Sequence, residues 1–409
     1  MFDQKQLFAA ALGIKNPWKI ENVEFSPTKG QLDIYIKKIK NEKVKCPVCD
    51  KECSTHDSKK RTWRHLNFFQ HEAYIHCKVP RSKCDEHGVK QVEVPWARPG
   101  SGFTLLFEAY IMQLMPHMPA KAIGELVNIN DEIIWRMIDH YVDEAYEAVD
   151  MATVKNIGID ETSSKRGHNY VTTFVDLETS KVIFATEGKD SKTIETFAKT
   201  LKKHNGDTEK IENISCDMSK AFRKGIRENF DESKITYDQF HVIKLINSAV
   251  NDVRKMESKI NELLKGTRYI WLKNPENLTV SQEKLMKSLS QMNLKTERAY
   301  RIKRSLQEFY KIAKEDTKAA KKHLKQWYFW STHSRLEPII EAAKTIKRHW
   351  DGVINYAESN ITNGVLEGLN SKIQAAKRQA RGYGTIKHFI SMIYLICGDL
   401  NIKIEPNLS

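Results

Sequence analysis

Seven cysteines occur in the chain, and five of them lie between Cys46 and Cys84. Cys46-Pro-Val-Cys49 is a CxxC knuckle, and Cys84-Asp-Glu-His87 is a CxxH knuckle just after a strand-like stretch. Two such pairs supply four sulfur and nitrogen ligands, the set that tetrahedral zinc takes. A full set leaves no open position, so the role expected of Zn2+ is structural. The 34 residues between the pairs exceed the usual finger spacing, but they contain strands able to return the chain, as in a zinc ribbon. Cys46, Cys49, Cys53 and His56 form a competing set within one short segment. Cys84 and His87 are preferred because they make a second knuckle. Cys77 shares an alternating apolar face with Ile75 and Val79 and reads as a small core residue.

A second chemistry is carried by acids. Asp160 ends the apolar run Asn156-Ile-Gly-Ile, and Asp217 ends Ile211-Glu-Asn-Ile-Ser-Cys. Each reads as a residue at the C-terminal end of a strand, where catalytic groups of α/β sheets collect. Either alone fits a turn or a helix cap. Brought together they repel unless a cation intervenes, which points to Mg2+ or a similar hard ion. A third acid, Glu367, sits near the start of a helical run in which Leu366, Leu369, Ile373, Ala376 and Ala380 form one stripe. Glu367, Asn370, Ser371, Gln374, Lys377, Arg378 and Arg381 fall on the adjoining face, a track suited to phosphates. An ordinary solvated helix face fits the same pattern. Gly382 stops the helix.

These residues need elements to hold them. Residues 22–95 read as β-rich and punctuated, 95–102 as a linker, and 103–149 as helical. From Val154 the order is βββαβαβα: a strand to Ile159, a hairpin of Asn169 to Asp176 with Lys181 to Thr186, and a helix from Ser191 to Lys203. A strand from Ile211, a helix from Lys220 to Asn229, a strand from Ile235 to Tyr237 and a long helix near His241 follow. The expectation is a multidomain α+β protein whose mixed α/β core is ribonuclease H-like and is interrupted by an all-helical insertion. Its divisions are expected at 1–95, 96–150, 151–250, 251–350 and 351–409, the core resuming in the last with the Glu367 helix. The insertion holds Trp271, Trp327, Trp330 and Trp350, mostly core by expectation, with base stacking the alternative.

Within 96–150, Ala120 to Val127 and the helix after Asn130 have the spacing of a helix-turn-helix. Ile123, Leu126, Val127, Ile134 and Ile138 would form the shared apolar faces, with Asp131 as the second helix's N-cap. A plain helical hairpin fits equally, and the second helix is acidic. Basic residues before it, Arg61, Arg64, Arg81 and Lys83 among them, make the zinc module as good a DNA contact. Composition agrees: 66 Lys and Arg against 52 Asp and Glu give +14 over 409 residues, which favours a polyanion partner. Secreted, collagenous and disordered classes are set aside. So is the membrane class, because Phe389 to Cys397 is too short to span a bilayer.

Gly158-Ile-Asp-Glu-Thr, Cys216-Asp-Met-Ser, Asp238-Gln-Phe-His-Val, Trp330-Ser-Thr-His-Ser-Arg-Leu-Glu-Pro and Thr362-Asn-Gly-Val-Leu-Glu-Gly-Leu-Asn resemble the ISL-three family of insertion-sequence transposases. The Cys-Pro-Val-Cys knuckle and Arg61-Thr-Trp-Arg-His-Leu do so as well. The likeness covers nearly the whole chain; its one departure is His87, where a Cys is commoner. It implies a DDE transposase with Asp160, Asp217 and Glu367 as the acidic triad, holding two Mg2+ or Mn2+ ions. It also implies double-stranded DNA partners, namely inverted-repeat ends and target DNA, and a homodimer or higher assembly. The place implied is the bacterial cytoplasm, at the nucleoid. Arg61, Arg64, Arg81, Lys83, Lys372, Lys377, Arg378 and Arg381 are the expected DNA contacts. His241 either touches the site or packs. A DNA-binding repressor or architectural protein with an inactive core, and a metal-dependent nuclease without strand transfer, are the rival readings.

Overall fold

The run from Trp18 to Gln91 holds six strands between turns that reverse the chain, and apolar residues alternate along the inner ones, as from Leu32 to Ile36 and from Ala73 to Val79. In the computed structural model, which describes residues 3–39, 43–167, 169–230, 234–359, 361 and 363–404, these are β1 (Trp18–Ser26), β2 (Gln31–Lys38), β3 (Val44–Lys45), β4 (Glu52–Phe68), β5 (His71–Cys84) and β6 (Gly88–Gln91). Thr362, the first residue of one motif above, lies outside the described residues. The sheet order is β1-β2-β5-β4-β3, with β6 on β5. β2 and β6 share one edge of β5, β2 against Glu72–Cys77 and β6 against Arg81–Cys84. Ile34, Ile75, Cys77 and Val79 are buried on the apolar face, joined by Trp18, Trp63 and Trp96.

Residues 95–102, expected as a linker, are packed into the structure. Trp96 packs edge-on against Trp18 and Trp63, with ring centroids 5.1 and 5.6 Å away. Arg98 pairs at 3.0 Å with Glu108, which is fully buried and also accepts from Ser101 Oγ and Tyr141 Oη. The segment is therefore part of a polar network that joins the first and last of three helices, Leu105–Leu114, Ala120–Val127 and Asp131–Glu147. The turn between the last two is tight: Asn128 is left-handed at φ 55°, and a Cβ on Gly124 would meet the Ile129 carbonyl at 2.6 Å. Two details of the helical reading change. Asn130, not Asp131, caps the last helix, its Oδ1 accepting from Glu132 N at 2.8 Å. Leu126 is exposed, whereas Ile123, Val127, Ile134 and Ile138 are buried as expected.

The chain divides into two compact units, one running to Ala145 and taking in the tail from Asn401, the other spanning Tyr146–Leu400. The second is built on β7 (Asn156–Ser163), β8 (Tyr170–Asp176), β9 (Lys181–Glu187), β10 (Asn213–Cys216) and β11 (Lys234–Tyr237). Their order is β11-β10-β7-β8-β9. β7, β8 and β9 form an antiparallel meander, while β10 and β11 run parallel to β7. Helices Ser191–Lys203 and Lys220–Asn229 make the crossovers that parallel strands require. This is the ribonuclease H-like arrangement. Ile194, Phe197, Ala198 and Leu201 are buried, so the amphipathic reading of the first crossover holds.

The helical insertion shares a single core with the sheet. Phe174, Phe197, Trp271 and Trp327 belong to the same buried cluster. Lys303 lies inside it, fully buried, and its ammonium donates to the carbonyls of Trp271, Leu272 and Lys273 at the end of the Arg268–Leu272 helix. Trp330 is 38% exposed and Phe329 64%, so the insertion's aromatics are not uniformly core. No helix among the described residues is long and apolar enough to cross a membrane.

Candidate active site and metal centre

The two knuckles sit at hairpin turns that one ladder brings together. β3 enters the first turn and β4 leaves it, with Lys45 opposite Glu52. β5 enters the second and β6 leaves it, with Cys84 opposite Gly88. Pairing of Ser54 with Lys83 across β4 and β5 sets the turns side by side. The ligand atoms of Cys46, Cys49, Cys84 and His87 then all lie within 4.8 Å of one another. Cys49 Sγ is 3.7 Å from Cys84 Sγ, and His87 Nδ1 is 3.6 Å from Cys84 Sγ and 3.8 Å from Cys46 Sγ. Bonds of about 2.3 Å to a tetrahedral zinc place sulfurs about 3.8 Å apart, so the donors fit that ion. Backbone N–H groups of His87 and Glu86, with the His87 ring, pull the Cys84 thiol down to about 6. Among the described residues, Cys53 and His56 of the competing set are not part of this cluster. Cys53 Sγ turns to the Lys51 carbonyl, and His56 faces Asp57.

The acids meet differently from the sequence expectation. Asp160 is not at a strand end; it is the fifth residue of β7, opposite Thr173 on β8. What ends there is the neighbouring parallel strand. Ser215 pairs with Gly158, so Asp217, two residues on, arrives level with Asp160. Adjacent strands lie about 4.8 Å apart, which makes the two acids neighbours. Asp217 accepts from Ser219 N at 2.8 Å at the head of the Lys220–Asn229 helix.

Glu367 comes from far along the chain, in the first turn of the Gly364–Gln379 helix, where it is exposed. That helix lies along β7. Leu366 packs on Gly158, where a side chain on the strand would collide with it. Asn370 donates to Asp160 Oδ2, Gln374 donates to Thr162 Oγ1, and Lys377 donates to the Ser163 carbonyl. Eleven helical residues rise about 16 Å and five strand residues about the same, so helix and strand stay in step over the whole contact.

Charge accumulates at this edge. Burial, aided by Asp238 and Asp217, holds the Asp160 carboxyl above the usual range, against the Glu161 N–H and His241. Burial, with Asp217 and Asp160, pushes Glu161 up to about 7, and Lys189 opposes. Burial also raises Asp238, with Glu367 and Asp217 adding to it. Hard oxygen donors carrying negative charge in excess of the nearby cations fit a divalent ion such as Mg2+. His241, half-buried, has its Nε2 3.8 Å from Asp238 Oδ2 and belongs to this neighbourhood. Asp238, Glu161 and the amide of Asn370 were not assigned a role from the sequence. Counting one residue past each parallel strand would have found Asp238.

The basic residues divide into two groups. Arg64 is not a surface contact: it is 6% exposed, donates to Asn67 Oδ1 and the His65 carbonyl, and lies over the Tyr74 and Phe107 rings. Lys377 is half-buried against Ser163, and Arg81 is held by Asp57. Arg61, Lys83, Lys372, Arg378 and Arg381 are exposed, Arg61 with its Nε on Gln91 Oε1.

A ribonuclease H-like sheet with acids along one edge, in a chain that also carries a Cys3His ribbon and a helix-turn-helix, defines a class: a nucleic-acid-processing enzyme with DNA-binding domains. Three family models match in that order. Residues 42–87 match the zinc finger of the IS204, IS1001, IS1096 and IS1165 transposases, and 92–142 the helix-turn-helix domain of transposase family ISL3. Residues 157–393 match the ISL3 transposase domain. The chain belongs to the ISL3 family of transposases. It is 27% identical to the transposase for insertion sequence element IS1557 of Mycobacterium tuberculosis over 95% of each chain. It is 22% identical to that for IS1001 of Bordetella parapertussis, over 96% of this chain and 98% of the relative.

Proposed function

We propose that this transposase binds the terminal inverted repeats of an insertion sequence, cleaves a DNA strand at each end and joins the freed end to target DNA, with Asp160, Asp217 and Glu367 as its catalytic acids. The observation that carries the reading is the convergence of one β7 acid, one acid level with it beyond β10, and a helix whose Asn370 grips Asp160 while presenting Glu367. Asp160, Asp217 and Glu367 would hold Mg2+ or Mn2+. Bound there, a pair of such ions supplies an activated attacking oxygen and offsets charge on the leaving oxygen.

The chain's own residues do the rest. Asn370 fixes the Asp160 carboxylate, leaving its rotamer little freedom. Exposed Lys372, Arg378 and Arg381 neutralise backbone phosphates along the Glu367 helix, and Arg61 and Lys83 do so on the ribbon. Two reactions then share one site. Water opens a phosphodiester and leaves a 3′-hydroxyl; that hydroxyl attacks a target phosphodiester, one P–O bond forming for each that breaks. Action on two ends calls for a homodimer or a larger assembly, and the bacterial nucleoid is the place of action.

Incubation with labelled end DNA, a target plasmid and Mg2+ tests this. Joined product is expected; cut product alone would make the protein a nuclease, and neither would make it a DNA-binding repressor. Asp160→Asn should abolish cutting while end binding persists, and cutting by that variant would remove the site assignment.

A further inference from the structure

The acidic edge has a member that the triad does not use. Tyr237, the last residue of β11, pairs with Cys216, the last of β10. Asp238 therefore follows β11 as Asp217 follows β10, and Ser215 opposite Gly158 carries the same level to Asp160. Three aspartates from three adjacent parallel strands stand in one row, each about 4.8 Å from the next strand's. Glu367 acts on this row from the helix above β7, its charge reaching Asp238.

Asp238 is 8% exposed. Its Oδ1 accepts from Phe240 N at 3.1 Å and caps the Gln239–Glu257 helix, while its Oδ2 faces His241 Nε2 at 3.8 Å, beyond hydrogen-bond length. A cap needs no negative charge. Ser219 caps the Lys220–Asn229 helix with a hydroxyl, and Asn serves as well as Asp. A buried aspartate placed among three other acids is held against their repulsion, which the cap alone does not require.

We propose that Asp238 is a fourth carboxylate of the divalent-cation site, one oxygen capping its helix and the other joining Asp160, Asp217 and Glu367 as a metal ligand. His241 is then its positioning partner, facing the same oxygen. The inference rests on the reading of the triad as a cation site.

The two roles of Asp238 separate cleanly. Asp238→Asn keeps the cap and removes the charge; Asp238→Ser also keeps a cap and removes the carboxylate. Mn2+ alone, titrated calorimetrically into the DNA-free full-length protein, is the probe, with Asp160→Asn in parallel. The expected result is an Mn2+ affinity weakened about tenfold or more in both Asp238 variants, with metal-free melting temperatures no lower than the parent's. Parent-like Mn2+ binding by the Asp238 variants, with binding lost in Asp160→Asn, overturns the fourth ligand and leaves the triad standing. Parent-like binding by all three variants overturns the triad and the inference together. A lowered metal-free melting temperature in both cap-preserving variants, with Mn2+ affinity unchanged, assigns Asp238 to the fold and also overturns the inference.

Discussion

His65 shows how one side chain makes a fold sensitive to acid. Burial, with the neighbouring Arg64 guanidinium, holds its imidazole down at about 4, and its Nδ1 lies 2.9 Å from Thr104 Oγ1 at the head of the Leu105–Leu114 helix. A histidine whose folded value lies below its unfolded one is favoured neutral. Its contribution is complete above about 6.5 and is lost as pH falls toward 4. Chemical denaturation between pH 7 and pH 4 should therefore show a loss that His65→Gln, which keeps a partner for Thr104, reduces by on the order of 1–3 kcal/mol. Equal pH slopes in parent and variant would remove His65 as the cause. Arg64, next door, carries the same lesson about context. Its type suggests a phosphate contact, but two aromatic rings and several oxygens enclose it.

At the scale of elements, the contact between β7 and the Gly364–Gln379 helix decides where Glu367 stands. Gly158 lets the strand and Leu366 approach, and an added Cβ would also press on Leu177 at 2.8 Å. Gly158→Ala should cost about 1–3 kcal/mol through overpacking. It should also lower end-cleavage rate more than end-DNA affinity, because the helix carrying Glu367 must shift. Unchanged cleavage by a folded Gly158→Ala protein would show that this packing does not set the acid's position. The opposite error awaits a reader of β4. Its 17 residues are almost all polar and exposed, with only Trp63 and Arg64 buried, so no periodicity announces a strand. Its hydrogen bonds to β5 define it instead.

At the scale of the whole molecule, one core lies around the ribbon sheet and another is shared by the second sheet and the helical insertion. The Cys46, Cys49, Cys84 and His87 cluster belongs to the first unit alone. Calorimetry with a zinc chelator should lower the transition of that unit and spare that of Tyr146–Leu400. Cys84→Ser should reproduce the effect and Cys53→Ser should not. A chelator that shifts neither transition would exclude structural zinc. By itself the sequence determined what is local: the two knuckles, the amphipathic crossovers and the order of strands and helices. These follow from spacing and alternation within short windows, where turn chemistry and apolar burial act. Tertiary structure decided what depends on register between distant segments. Cys84 rather than Cys53 joins Cys46, because β4 and β5 pair through Ser54 and Lys83. Asp160, in mid-strand, stands level with Asp217 and Asp238, each just past its strand's end, because three parallel strands share one register set between distant segments.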